Sequence, residues 1–417
     1  DALALVARQV QHLLQMLLFA GLQRPPHALF RPVALRVDHD LRHTQPLHRR
    51  FGQADHTFHV RVRAPQPQAG VVERRQTLPV LSNVLIQVVE NSVSLTGTDL
   101  EVELIGQVST ESAEAGEITV PARKLLDICK ELPDKATVDF ELVESRLLIR
   151  SGRFKSNLST LPAADFPSVD KSAVEITTKI DSRAFKKLLD KTAFAMAQQD
   201  VRYFLNGMLL ELGDGYIRSV ATDGHRLASS NLSQDSGNSQ MKQVIVPRKG
   251  VLELQRLLGD LEGDVEISFG ANHLCARSDN FTMTTKLVDG RFPDYDRVIP
   301  KNGDKIVLAD KVELKQALNR TAILSNEKFR GIRVNLSAGQ LKLSANNPEQ
   351  EEAEETVTVD YEGVDLEVGF NVGYLQDVLG VLDCDKVKIT VHDANSSALL
   401  EHPEEDDSLY VVMPMKL

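Results

Sequence analysis

The sequence predicts an α+β protein built from three tandem copies of one strand-rich domain. Three observations predict it: a set of landmarks that recurs about every 124 residues, apolar residues that alternate with polar ones at period two, and two helix openings in each repeat.

The first landmark is a strand running into a polar turn, at Ser94–Leu100 and Ser219–His225. A third copy at Leu343–Glu349 keeps only the strand and the turn. The second landmark opens a helix, at Val120–Lys124, Val246–Gly250 and Phe370–Tyr374. The third closes the unit, at Ala164–Pro167, Gly290–Pro293 and Val412–Pro414. Intervals between copies run from 121 to 126 residues, too long for a solenoid and ordinary for a domain. Domains are therefore expected at 70–174, 175–296 and 297–417.

Within a repeat, Val93 and Leu95, then Val102 and Leu104, alternate with polar residues, as do Val387, Ile389 and Val391. That period marks half-buried antiparallel strands. Gly213-Asp214-Gly215 and Ser337-Ala338-Gly339 supply hairpin turns. Asp181-Ser182 reads as a helix cap, with Phe185, Leu188, Leu189 and Met196 on one apolar face. Pro121 and Pro247 fall in a first helical turn, where a missing N–H costs nothing.

The chain has 417 residues, of which 42% are hydrophobic and 26% charged, enough for sizeable cores. Three cysteines exclude a disulfide framework and, being out of phase with the repeat, read as core thiols. No run of 18 apolar residues exists, so a cytoplasmic, reducing compartment is expected. A net charge of −11 argues against holding nucleic acid by bulk attraction. Residues 1–69 differ in composition: nine Arg, no Lys, no Glu and seven of the eleven histidines. They read either as a basic arm or His-rich site, or as an unstructured or non-native extension; the histidines show no metal-ligand spacing.

The helices carry basic faces in a net-acidic chain. Arg183, Lys187 and Lys191 fall at i, i+4 and i+8; Lys311 and Lys315 repeat the spacing, and Lys249 and Arg256 lie seven apart. Such a stripe is either a solvated face or a surface for phosphate. Catalytic signatures are absent. His225 beside Asp223 resembles an active-site turn, but no nucleophile or phosphate loop accompanies it, and turn chemistry explains Asp223-Gly224. No cofactor or metal motif is present. The carboxylate run Glu349–Glu355 is expected to meet Arg and Lys of a partner rather than a cation.

From about Val71 to Leu417, five-sixths of the chain, the sequence resembles the bacterial sliding clamps, the beta subunits of DNA polymerase III. The carrying stretches are Gln76–Pro79, Ser159–Pro167, Thr222–Leu227, Lys286–Tyr295, Leu324–Gly331, the run from Asn346 to Glu355, and Val411–Met415. The resemblance implies a non-enzymatic, head-to-tail homodimer whose ring encircles duplex DNA, with helices lining the hole. By position it implies that Arg75, Arg123, Gln199, Tyr203 and Phe204 contact DNA.

It further implies a groove that captures short motifs of the polymerase III catalytic subunit, the clamp loader, other polymerases and repair proteins. From the second repeat the groove would take Arg202, Leu205, Thr222, Gly224, His225, Arg226 and Leu227, then Pro293, Arg297 and Val298. From the third it would take Asn371, Tyr374, Ser397, Val411, Met413, Pro414 and Met415. Leu, Val and Pro furnish an apolar slot, and soft Met side chains let it accept several partners.

Ring closure needs a joint between the first domain of one chain and the third of the other. Lys124, Arg146, Arg153, Lys155 and Leu158 are expected on one side. Ile323, Leu324, Glu349, Glu351, Glu352 and Glu355 are expected on the other, so that opposite charges flank an apolar centre. The sequence departs from the family at 51–69, where an initiating strand and first helix are expected and no such helix is legible. The expectation is therefore a first domain lacking both, with a monomeric docking scaffold as the alternative to a closed ring. A DNA-binding enzyme with a dissolved motif is the remaining class.

Overall fold

The computed structural model describes residues 60–63, 78–89, 92–109, 114–133, 136–169, 173–234, 241–301 and 303–416. The chain forms two compact units, one of residues up to Val169 with Asp279–Phe281, the other of Asp170–Ser278 with Thr282–Leu417. Arg75 and the histidine-rich stretch lie outside the described residues.

The first repeat contains β1 (Val60–Arg63), β2 (Asn83–Val89), β3 (Ser92–Thr98), β4 (Val102–Ser109), β5 (Gly116–Pro121), β6 (Thr137–Val143), β7 (Arg146–Ser151) and β8 (Phe154–Ser159). The second contains β9 (Val174–Asp181), β10 (Gly207–Gly213), β11 (Tyr216–Thr222), β12 (Arg226–Ser233), β13 (Lys242–Pro247), β14 (Asp264–Gly270), β15 (His273–Arg277) and β16 (Phe281–Lys286). The third contains β17 (Lys305–Asp310), β18 (Gly331–Ser337), β19 (Gln340–Asn346), β20 (Glu352–Asp360), β21 (Leu366–Asn371), β22 (Lys386–Val391), β23 (Ala398–Glu401) and β24 (Ser408–Val412).

The pairing order is the same three times. In the first repeat it is β5-β2-β3-β4 and β1-β6-β7-β8; in the second, β13-β10-β11-β12 and β9-β14-β15-β16; in the third, β21-β18-β19-β20 and β17-β22-β23-β24. This corrects one expectation. The initiating strand of the first repeat is not missing: β1 pairs antiparallel with β6, Val60 opposite Phe140 through Arg63 opposite Thr137, as β9 pairs with β14. Four residues of alternating Val and Arg, followed by a stretch with prolines at 65 and 67, give a weak sequence signal, and only the partner strand identifies them. The helix expected after it falls at 64–77, outside the described residues.

Five α-helices are described: α1 (Ala122–Glu131), α2 (Ser182–Asp190), α3 (Arg248–Gly259), α4 (Lys311–Thr321) and α5 (Val372–Val381). Side-chain caps fix three of their starts. The Asp181 carboxylate accepts the Ala184 N–H at 2.8 Å, Asp310 that of Glu313 at 2.8 Å, and the Asn371 side-chain oxygen that of Gly373 at 2.9 Å. Pro121 and Pro247 occupy the cap positions of α1 and α3, where each also ends a strand. α2 buries Phe185, Leu188 and Leu189, but it stops at Asp190; Met196 is buried beyond it, after a 3-10 turn at Ala193–Ala195.

In the second unit the two repeats share one sheet, because β12 pairs with β24 from Arg226 opposite Val412 to Ser230 opposite Ser408. Lys191 reinforces this seam. Expected at the end of an exposed basic stripe, it is 8% exposed instead and donates to the Asp407 carboxylate at 2.6 Å. Arg256 is likewise drawn off its face by Glu253, at 2.8 Å. Burial opposes ionisation of Asp407, but hydrogen bonds from Lys191 and the Ser408 hydroxyl outweigh it and hold the carboxyl below its ordinary range. A carboxyl depressed only in the folded state stabilises that state above the unfolded pKa, about 3.9, and loses the contribution as pH falls through the folded value. D407N is therefore expected to flatten the fall in urea midpoint as pH drops below the unfolded carboxyl value of about 3.9. An unchanged acid limb would contradict this.

Of the three cysteines, Cys129 is core, its thiol pushed up to about 12 by burial, whereas Cys275 and Cys384 are half-buried.

Candidate functional site

The seam between β12 and β24 is where most of the expected groove residues meet. Leu227 and Val411 are 2–3% exposed and form its floor in one cluster with Leu209, Val220, Ile245, Phe292, Tyr295 and Leu399; Leu205 is buried as well, at 2%. Phe204, Val288 and Ile299 pack against that cluster from its edges. Met413 and Val298 are each about two-fifths exposed.

The turn before β12 is built by its own side chains. The Asp223 carboxylate accepts the N–H groups of His225 and Arg226 at 2.9 and 3.0 Å. The Thr222 hydroxyl accepts from Gly224 N–H at 3.1 Å and donates to the Arg226 carbonyl at 2.6 Å. Gly224 sits at φ +87, and a Cβ there would come within 2.9 Å of an Arg202 guanidinium nitrogen, so the position takes glycine on two counts. Asp223 serves the turn and Arg226, not the His225 ring.

Arg226 is the centre of the seam and is 12% exposed. Its Nε donates to Asp223 at 3.1 Å and one Nη to the Phe194 carbonyl at 2.8 Å; the other Nη pairs with Asp377 on α5. Its guanidinium carbon lies 4.6 Å from the ring centre of Tyr374 and 5.2 Å from that of Phe194. The exposed His225 ring stacks beside Tyr374, centres 6.5 Å apart and planes 18° off parallel. Burial raises the Tyr374 hydroxyl above its ordinary pKa, with Asp223 and Asp377 acting in the same direction against Arg226.

The third repeat supplies the other wall. Asn371 caps α5 and donates to the Phe329 carbonyl at 3.2 Å, which fixes the first turn carrying Tyr374. The chain after β24 is held by Met413 N–H to the His225 carbonyl at 2.9 Å and Met415 N–H to the Gly369 carbonyl at 2.8 Å. Those bonds leave Met413 exposed and Pro414 and Met415 half-exposed. Ser397 is half-buried just before β23.

The loop bearing Pro293, Arg297 and Val298, all exposed, is anchored from below. Tyr295 accepts a hydrogen bond from Arg218 at 2.8 Å, and Arg218 also donates to the buried Glu211 at 3.3 Å. Glu211 further accepts from Tyr216 at 2.7 Å and Gln243 at 2.6 Å, so no lone buried charge results. The bond to Glu211 and burial push the Tyr216 hydroxyl up to about 12.

All three groove arginines are paired within the chain: Arg202 with Asp200 at 2.9 Å, Arg297 with Asp294 at 2.7 Å, and Arg226 as above. Hydrogen bonds from Arg202 hold the Asp200 carboxyl down to about 2. The arrangement joins a buried apolar cluster, exposed Val298 and Met413, and arginines paired within the chain. Sequence reading missed Phe194, Asp377, Arg218 and Glu211. Asp377 alone left a signal, lying one helical turn after Tyr374.

Of the expected DNA-contacting residues, Gln199 and Tyr203 are exposed, the former at φ +57, while Phe204 is half-buried and packs on the groove core. Arg123 is exposed on α1, within reach of Asp127 at 4.0 Å. At the expected joint, Lys124, Arg146, Arg153 and Lys155 are exposed, as are Glu349, Glu351 and Glu352. Ile323 is 75% exposed and Leu324 is half-buried. Two of these side chains are engaged within the chain. Leu158 is 6% exposed, a core residue of its own sheet, because it is the inward member of β8's alternation. Glu355 is engaged by Arg320 of the same chain through both carboxylate oxygens.

Among the described residues no helix is long and apolar enough to cross a membrane.

Comparison with known proteins matches this arrangement along the chain. Residues 62–170, 179–294 and 296–416 match, in order, the N-terminal, central and C-terminal domains of the DNA polymerase III beta subunit. The beta sliding clamp of Pseudomonas putida is 59% identical over 84% of this chain and 95% of its own; that of Escherichia coli is 50% identical over 84% and 96%. A crystal structure of the Pseudomonas aeruginosa clamp bound to griselimycin superposes with TM-score 0.82 at 55% identity, covering 87% of this chain and all of that one. The relatives are sliding clamps throughout, and the role of this protein is that of a processivity clamp. Three repeats of one eight-stranded pattern, in the order and over the length that this family requires, make the chain a member of the bacterial DNA polymerase III beta subunits, the beta sliding clamps.

Proposed function

We propose that the protein works as a head-to-tail homodimer around duplex DNA and docks its clients in the groove over the β12–β24 seam. The clients are short segments of the polymerase III catalytic subunit, the clamp loader, other polymerases and repair proteins. It acts in the cytoplasm and without catalysis of its own. The three repeats act as domains, the first including β1.

The observation that carries the groove is the apolar cluster that joins Leu227 and Val411 from two repeats, with Met413, two residues on from Val411, exposed. Ring closure is supported by two unpaired edges. β8 lies at the end of its sheet, with Arg153 and Lys155 beside and within it, and the Glu352 end of β20 pairs on one side only. The monomeric scaffold rested on a lost initiating strand, and β1 stands in that strand's place.

Griselimycin, which a Pseudomonas aeruginosa relative binds, is a ready probe. Calorimetric titration should give binding that Met413→Glu weakens at least tenfold, by putting a charge at an exposed apolar position. Unchanged affinity in that variant would remove the groove from the proposal.

A further inference from the structure

Asp377 lies outside the set of residues expected to touch a client, yet it closes the contact around Arg226. Four groups hold that guanidinium. Phe194 and Asp223 come from the second repeat, Tyr374 and Asp377 from α5 of the third. The Asp223 side is local, three residues along the chain, and would persist if the repeats parted. The contacts from α5 are the only ones of the four that cross between repeats. Tyr374 offers a ring face, and Asp377 the sole charge. Tyr374 and Asp377 are one turn apart on the helix, so fixing the carboxylate fixes the azimuth of the ring. That ring in turn backs His225, whose carbonyl holds the Met413 N–H at 2.9 Å.

We propose that Asp377 is a positioning residue of the docking groove: through Arg226 it locks α5 against the β12 turn and so sets the wall formed by Tyr374 and His225. This rests on the groove reading above. Asp377 is about half exposed and contributes no apolar surface to the floor. Its effect therefore runs through the geometry of its neighbours, and Arg226 is a clasp with its donors turned inward rather than a free cation for a client's acidic group.

The test uses the full-length dimer and griselimycin as probe, titrated into wild type, D377N, D377E and Met413→Glu, with thermal melting and sedimentation of each. D377N keeps the shape and removes the charge, so it should fold and dimerise as wild type does. It is expected to weaken binding about tenfold, the size of a pairwise coupling between contacting charged groups. D377E restores a carboxylate and should recover to within about threefold of wild type. A general structural role would instead lower melting in both Asp377 variants without separating them in affinity. Loss of binding in Met413→Glu with wild-type affinity in D377N would overturn the positioning role while leaving the groove intact. Wild-type affinity in Met413→Glu would overturn the groove itself. Equal loss in D377N and D377E would also overturn the proposal, because the charge would then not be what matters.

Discussion

Arg226→Ala is expected to destabilise the second unit by about 3 kcal/mol and to abolish docking in the groove. The side chain is 12% exposed and holds two carboxylates and a carbonyl. Its removal leaves Asp223 and the Phe194 carbonyl facing a cavity between two rings, and stranding such enclosed partners costs more than the pair itself contributes; Asp377, about half exposed, is left to solvent. The measurement is the denaturant midpoint alongside griselimycin titration. Arg226→Lys should recover only part of the loss, because an ammonium is a point charge and cannot present the planar fork that spans Asp223, Asp377 and Phe194 at once. A midpoint within error of wild type for the alanine variant would show that the seam is held by the β12–β24 pairing alone.

Ile323→Ala with Leu324→Ala is expected to convert the dimer to monomers at low micromolar concentration, with griselimycin binding retained. Ile323 is 75% exposed on a 3-10 turn, an apolar side chain with no use in a monomer. Leu158, the expected apolar counterpart on the first repeat, is committed to its own core, so the joint's apolar centre leans more heavily on Ile323 and Leu324. In the proposed joint the flanking Lys, Arg and Glu residues would set register; exposed ion pairs of that kind contribute about 0–1 kcal/mol each. Sedimentation of the double variant reads the outcome directly. A persistent dimer would place the joint elsewhere.

Much of this was legible in the residues. The threefold recurrence of turn, helix opening and closing proline located the repeats because each landmark depends on local chemistry, such as the cap at Asp181 or the turn at Asp223. The apolar residues Leu227 and Val411 were named by resemblance, and they lie in one buried cluster. What failed were statements about which way a side chain points. Lys191 sits at helical spacing from Lys187, but α2 ends one residue earlier, and Asp407, 216 positions away, draws it inward. Leu158 and Glu355 follow the same rule: periodicity gives a face, and only the neighbouring strand or helix says whether that face is free. β1 was invisible because its partner β6 lies some 75 residues on and nothing local marks it. The in-chain partners of Arg226 were not legible because the two acidic residues are split between neighbouring and distant sequence.

Topological retention on DNA tests the central claim most directly. The wild-type protein, loaded by a clamp loader onto a nicked circular plasmid and passed over a sizing column, should stay with the DNA and be released when the plasmid is cut once to a linear form. The Ile323→Ala, Leu324→Ala variant should not be retained on either. Equal retention on circular and linear DNA would mean that the protein holds DNA by contact rather than by enclosure, and would contradict the account of a closed sliding ring.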